Sequence, residues 1–175
     1  KKLEEAGVAY ADLKQAFSEE EQVLYHRLDS HWNNQGAALA METILDALEQ
    51  PHTDYSEIPY ELRKDFDGDL YEMVYPLGRE KDENVYYEKD YAFSYGDSFQ
   101  STEDMNIYTE NPGKKHRAVV FRDSFGNSLT PFLAEEYEKG YFSRTVPYPV
   151  DALEQEKADT LIFEIVERHL NILAN

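Results

Sequence analysis

The 175-residue chain contains no cysteine, which excludes disulfides, thiolate zinc sites and a cysteine nucleophile. Bases are scarce: 17 lysines and arginines stand against 36 acids, a formal net charge of −19. That balance argues against nucleic acid as a partner and disfavours a strongly anionic polymer as substrate. The basic run Lys114-Lys115-His116-Arg117 reads as a solvated loop ahead of a strand. No apolar run is long enough to span a membrane, and the N-terminus is no signal peptide. Internal repeats and low-complexity linkers are also lacking.

What is present is a folding chain. Hydrophobic residues make up 41% and aromatics 14%, and the length suits one domain with a real core. The opening Lys1-Lys2-Leu3-Glu4-Glu5-Ala6-Gly7 reads as the last turns of a helix stopped by Gly7. The chain is therefore expected to begin inside an element, with a leader or anchor upstream. Residues 8–13 and 23–27 suit short strands, with a solvated acidic turn at 19–21 between them. From Asn34, the residues Ala37, Leu39, Ala40, Met41, Ile44, Leu45, Ala47 and Leu48 form a helical face that ends before Pro51.

Residues 52–112 are tyrosine-rich and broken by turn signals. They suit short antiparallel strands, around 71–75, 85–87 and 106–108, in an insertion over the core. After Pro112 the pattern becomes α/β: a strand at 118–121, an amphipathic helix over 127–139 ended by Gly140, and a strand at 160–166. Strand, crossover helix and strand imply a parallel sheet covered on both faces.

Two segments carry chemistry. In Asp29-Ser30-His31-Trp32 a carboxylate stands two residues before a histidine, just ahead of a helix. On an extended or turn backbone, residues i and i+2 face the same side, so the carboxylate can hold the Nδ1 proton and leave Nε2 as a base. Equally, the segment reads as a helix entry in which Asp29 or Asn33 caps and His31 merely packs. In Arg122-Asp123-Ser124-Phe125-Gly126-Asn127 a serine sits where an apolar strand turns into a helix. That is a common N-cap, and it is also the shape of a nucleophile turn, with Gly126 small enough for substrate to approach and helix N–H groups ready for an oxyanion. Asp65, Asp67 and Asp69 around Gly68 echo a calcium loop but lack its downstream glutamate, so no metal and no cofactor are expected. His52, His116 and His169 have no ligand-like spacing and read as surface residues.

Taken together, the segments resemble a family. Arg27-Leu28-Asp29-Ser30-His31-Trp32-Asn33 with Gly36-Ala37 is similar to the Asp-x-His-Trp motif of alginate O-acetyltransferase-like (AlgX/AlgJ-like) and bacterial DHHW proteins. Residues 119–128 resemble their serine block, and Pro131-Phe132-Leu133 continues the likeness. Residues 66–70 and 162–167 resemble them more weakly. Arg122 stands where the wider superfamily has glycine, which favours the DHHW branch.

The resemblance implies an SGNH-hydrolase-like α/β domain over residues 1–175. Its parallel sheet is flanked by helices, its motif order is permuted, and its β-rich insertion lies at 52–112. Members transfer or remove acyl groups, typically acetyl, on polysaccharide hydroxyls at the bacterial cell envelope. By position, Ser124 is then the nucleophile, His31 the base and Asp29 its orienting acid. The Ser124 N–H and, as a second donor, Gly68 would form the oxyanion hole. Trp32, Arg122 and Asn127 are expected to contact substrate, and Tyr86, Tyr87, Tyr91 and Tyr95 are candidates for stacking on sugar rings. The implied partners are a glycan acceptor and an acyl donor, with room for a membrane-bound donor protein, in an extracytoplasmic setting. An esterase on the same triad, or a non-catalytic carbohydrate-binding or assembly protein on the same fold, are the alternatives.

Overall fold

A computed structural model describes residues 2–174 of the chain. It forms two compact units, Lys1–Lys89 and Asp90–Asn175.

The first unit opens with α1 (Lys2–Glu5), which ends at Gly7 in the left-handed region (φ 70°) with the Val8 N–H donating to the Leu3 carbonyl. Lys1, the first residue of the expected opening helix, lies outside the described residues. Residues 8–13 do not make the expected strand. Asp12 accepts the Gln15 N–H at 3.0 Å and so starts α2 (Leu13–Ser18), while Val8 and Tyr10 stay exposed. The expected strand at 23–27 shrinks to a single bridge between Tyr25 and Trp32. Beyond it, α3 (Asn34–Ala47) buries Ala37, Ala40, Met41, Ile44 and Leu45, the face its sequence periodicity specifies. Its cap is Asn33, whose Oδ1 accepts the Gln35 and Gly36 N–H groups at 3.0 Å each.

A two-stranded antiparallel ribbon follows, β1 (Tyr60–Phe66) with β2 (Asp82–Tyr87), and α4 (Asp69–Val74) connects them. Residues 71–75, expected as strand, belong mostly to that helix, which starts at Gly68. Asn34 ties α3 to β2: its N–H donates to Asn84 Oδ1 at 2.9 Å and its side-chain amide to the Val85 carbonyl at 2.8 Å.

The second unit is built on a sheet of order β3-β4-β6-β5-β7, made of β3 (Ser94–Tyr95), β4 (Asn106–Glu110), β5 (Arg117–Phe121), β6 (Lys139–Ser143) and β7 (Thr160–Phe163). β5 runs parallel to both β6 and β7, whereas β4 is antiparallel to β6 and β3 to β4. The expected parallel sheet is present at its centre. Residues 94–95 and 106–110, expected in an insertion over the core, are strands of that sheet instead. β5 is fully buried from Ala118 to Phe121, as a central parallel strand covered on both faces must be. One face carries Val119, Phe121 and Tyr141 against Ala152 of α6 (Ala152–Gln155).

Between β5 and β6 runs α5 (Gly126–Glu136). It stops three residues short of the expected end, and Gly140 lies within β6 rather than closing the helix. A β-carbon there would fall 2.6 Å from Thr109 Oγ1 and 2.5 Å from the Phe142 ring, so the sheet needs glycine for close packing.

Candidate functional site

Asp29 and His31 lie at the tip of a loop whose ends are tied together. The His26 N–H donates to the His31 carbonyl at 3.1 Å, and the Asn33 N–H to the Leu24 carbonyl at 2.9 Å. At the tip the Asp29 carboxylate folds over its own backbone as an Asx turn, and its Oδ1 accepts the His31 N–H at 2.8 Å. The same oxygen accepts His31 Nδ1–H at 2.7 Å. Its other oxygen accepts the Asp69 N–H, at the start of α4, at 2.8 Å. Capping falls to Asn33, so of the two readings open to this segment, Asp29 takes the imidazole-orienting one.

Burial alone would raise the Asp29 carboxyl. Hydrogen bonds from the His31 ring and from the Asp69 and His31 backbone outweigh it and hold the group well below the usual carboxylate range. Ionised Asp29 thus holds the proton on Nδ1 and sets the tautomer of the imidazole.

Asp69 was not singled out for this role by sequence. Its Oδ1 accepts the Ser30 N–H at 2.8 Å, and its Oδ2 accepts the Ser30 hydroxyl at 2.7 Å while lying 3.9 Å from His31 Nδ1. Among the described residues, Asp29, His31 and Asp69 are the three whose side-chain donor atoms all lie within 4.8 Å. Within that group Nδ1 donates to Asp29, and the two Asp69 oxygens accept the Ser30 N–H and hydroxyl. Gly68 sits against the loop: a β-carbon on it would lie 2.2 Å from the Leu28 carbonyl oxygen, which also accepts the Tyr71 N–H at 3.1 Å.

His26, also missed by sequence, is buried below this loop and stacks on Phe66 with ring centroids 3.9 Å apart. Burial lowers its pKa. Trp32, expected to face sugar, is only 4% exposed and packs beside Phe17 inside the unit. Its ring is core, which corrects the expectation of a substrate contact. Tyr86 pairs instead with Asp65 and Arg63, and Tyr87 with Tyr55 and Tyr60.

In the second unit Ser124 lies at the C-terminal end of β5, two residues before α5, and its carbonyl already accepts the Asn127 N–H at 3.1 Å. The turn is set by its neighbours. Asp123 Oδ1 accepts the Phe125 N–H and its Oδ2 the Val166 N–H, each at 2.9 Å. Glu164, just past β7, accepts the Asp123 N–H at 3.1 Å through Oε2, and its own N–H donates to the Phe121 carbonyl. Burial, and next the negative charge of Asp123, push the Glu164 carboxyl up to about 8. A lone acid after Thr-Leu-Ile-Phe was the available signal for it.

Arg122 is 2% exposed, so it is no surface contact for substrate. Its Nη1 donates to Asn127 Oδ1 at 2.6 Å and to the Asp123 carbonyl, and its Nη2 donates to the carbonyls of Thr102 (2.8 Å) and Asp104 (2.9 Å). Burial, with Arg144 nearby, lowers this guanidinium to about 10. Asn127, also expected at substrate, spends its oxygen on Arg122. Gly126 makes room for the Arg122 side chain, a different use of its small size from the expected approach of substrate.

Tyr91 and Tyr95 join an aromatic cluster with Phe93, Phe99 and Phe132, where Tyr95 and Phe99 stack at 3.6 Å. His116 and His169 are surface residues as expected, their side chains 57% and 43% exposed and near Asp159 and Asp123, whereas the His52 side chain, paired with Asp46, is only 16% exposed. Among the described residues no helix is long and apolar enough to cross a membrane.

Three solved structures share the fold. A DHHW family protein from Eubacterium siraeum is 20% identical, with a TM-score of 0.67 over 95% of this chain and 68% of its own. PatB1 of Bacillus cereus is 15% identical, with a TM-score of 0.69 over 90% of this chain and 68% of its own. The O-acetyltransferase domain of Pseudomonas putida AlgJ is 17% identical, with a TM-score of 0.50 over 96% of this chain and 62% of its own. The chain thus spans about two thirds of the length of these structures, and identities this low establish a common fold alone. No curated protein matches the chain in sequence. Residues 1–94 match the family of the SGNH hydrolase-like domain of acetyltransferase AlgX, a span that contains Asp29, His31 and Asp69 and ends before the serine block. With more than half of its length inside that match and its fold shared with the same group, the chain belongs to this SGNH-hydrolase-like acetyltransferase family.

Proposed function

We propose that the chain transfers an acyl group, acetyl in the first instance, to polysaccharide hydroxyls through Ser124, His31 and Asp29. The observation that carries this reading is the Asp29–His31 pair. An ionised carboxylate 2.7 Å from Nδ1, itself held by two backbone N–H groups, is the arrangement that prepares an imidazole as a general base. Membership of an acetyltransferase family and the strand-to-helix placement of Ser124 support it.

In this reading residues 1–175 act as one catalytic domain in an extracytoplasmic setting. His31 Nε2 takes the Ser124 proton as Oγ attacks the acyl carbonyl, and backbone N–H groups, that of Ser124 among them and Gly68 as a candidate second, receive the oxyanion. Collapse expels the donor oxygen, which leaves with the proton from His31, and acyl-Ser124 remains. A sugar hydroxyl then gives its proton to His31 as it attacks the ester carbon, and collapse expels Ser124 Oγ, which takes that proton back from His31. Where water takes the sugar's place, the same steps make an esterase.

The test is the intact mass of the protein after brief exposure to p-nitrophenyl acetate. One added acetyl group on Ser124, absent in Ser124→Ala and in His31→Ala, is the expected result. No adduct together with no ester turnover overturns the reading in favour of a binding protein on this fold. With an acceptor glycan panel added, acetylated sugar marks a transferase, and free acetate alone marks an esterase.

A further inference from the structure

We propose that Asp69 is a positioning residue for His31, locking the Asp29–His31 loop through Ser30 and placing a second carboxylate beside the imidazole. The inference rests on reading His31 as the general base.

Each of the two aspartate carboxylates accepts a backbone N–H from the other's segment. The Asp69 N–H donates to Asp29 Oδ2, and the N–H of Ser30, next to Asp29, donates back to Asp69 Oδ1, both at 2.8 Å. Such a reciprocal pair fixes the distance between the loop and the start of α4. Gly68 closes the contact, since with no side chain it lets α4 begin directly against the Leu28 carbonyl. Asp69 does not serve its own helix: the cap is Gly68, which makes no side-chain cap bond, and both Asp69 oxygens are turned to Ser30.

The Ser30 hydroxyl is the second link. Having given its proton to Asp69 Oδ2 at 2.7 Å, it turns a lone pair toward His31 Nδ1 at 3.4 Å. The Nδ1 proton is therefore shared between Asp29 at 2.7 Å and a hydroxyl polarised by Asp69, whose own oxygen lies 3.9 Å away. Two anions then face the positive charge that His31 acquires when it takes a proton, and both favour the charged ring. The other titratable groups on this side, within the same unit, are His26, which opposes that charge, and Asp82, whose carboxylate lies 3.9 Å from His26 Nδ1 and accepts the Leu28 N–H. Neither hydrogen-bonds Ser30.

Asp69→Asn isolates the effect. The new amide oxygen can still accept the Ser30 N–H, but the charge and the hydroxyl's acceptor are lost. The readout is the ring C–H titration of His31 by NMR, its signal among the 5 histidines identified by loss in H31Q. The midpoint is expected to fall by about half to one pH unit in Asp69→Asn. The acid limb of kcat/KM for p-nitrophenyl acetate should move by the same amount, with the plateau about tenfold lower. Ser30→Ala, which keeps every backbone bond, should give a smaller drop in midpoint and covers the case in which Asp69→Asn fails to fold.

A purely structural Asp69 would lower thermal stability and leave the titration alone, so an unchanged His31 midpoint in the folded variants overturns the proposal. A shifted midpoint in a protein with no ester turnover upholds Asp69 and sinks acyl transfer instead.

Discussion

A β-carbon on Gly126 would lie 2.6 Å from both Cβ and Cδ of Arg122. The glycine of the serine turn therefore exists for a buried arginine, whose guanidinium holds the turn to residues 102 and 104. Gly126→Ala is expected to displace Arg122 and to lower stability by about 1–3 kcal/mol, the usual result of forcing atoms into a filled site. Arg122→Met should cost more, about 3 kcal/mol, because it leaves the Thr102 and Asp104 carbonyls without their donor. Urea unfolding checks both. A Gly126→Ala protein as stable as the parent would show that the side chain has somewhere else to go.

Asp29 makes its strongest statement through pH. Its folded pKa is depressed, so it contributes stability above the unfolded value near 4 that disappears as pH falls through the folded one. The parent should lose stability between about pH 5 and pH 2 more steeply than Asp29→Asn, whose amide has no charge to lose. The same variant should drop kcat/KM by on the order of a thousandfold as the Nδ1 proton loses its anchor. Acid titrations of the two proteins that run parallel would remove Asp29 from the account.

Glu164 carries the opposite sign. Its folded pKa is raised to about 8 from 4.5, so the folded state holds a proton that the unfolded state gives up. The stability tied to it is complete below about pH 4.5, declines as pH rises and is gone above about pH 8. A loss on the order of a few kcal/mol across that window is expected, since holding a proton one pH decade longer is worth roughly 1.4 kcal/mol. Glu164→Gln should flatten the alkaline side, which thermal melts between pH 5 and 9 will show. Equal slopes in both proteins would mean that Glu164 is ionised in its buried place.

Some of the local chemistry was legible in the sequence where the partner lay within a few residues, though the Asp12 cap and the use of Gly126 and Asn127 by Arg122 were not. The Asp29–His31 spacing, the Asn34 helix start and the apolar run of β5 all follow from rules of period and reach, and each is present. Identity without facing misled at Trp32 and Arg122, because an aromatic ring or a guanidinium suits a sugar and a protein interior equally well. Tyr71 and Tyr75 looked like strand by propensity, but the Gly68-Asp69 start and the Leu28 carbonyl decided for a helix. Gly140 read as a helix stop because its true constraint, the approach of Thr109 and Phe142, comes from across the sheet. Glu164 and Asp69 escaped because their partners lie about 40 residues away in the chain.

The Nη2 of Arg122 grips carbonyls of the main chain, and main-chain carbonyls are the same whatever residue bears them. Thr102 can therefore mutate freely as far as this clamp is concerned, provided the backbone keeps its path. Position 102 is accordingly a place to begin a library, whereas Asp104 has to stay, because its carboxylate accepts the Gln100 and Ser101 N–H groups at 2.7 and 3.2 Å and so holds the backbone that the clamp grips.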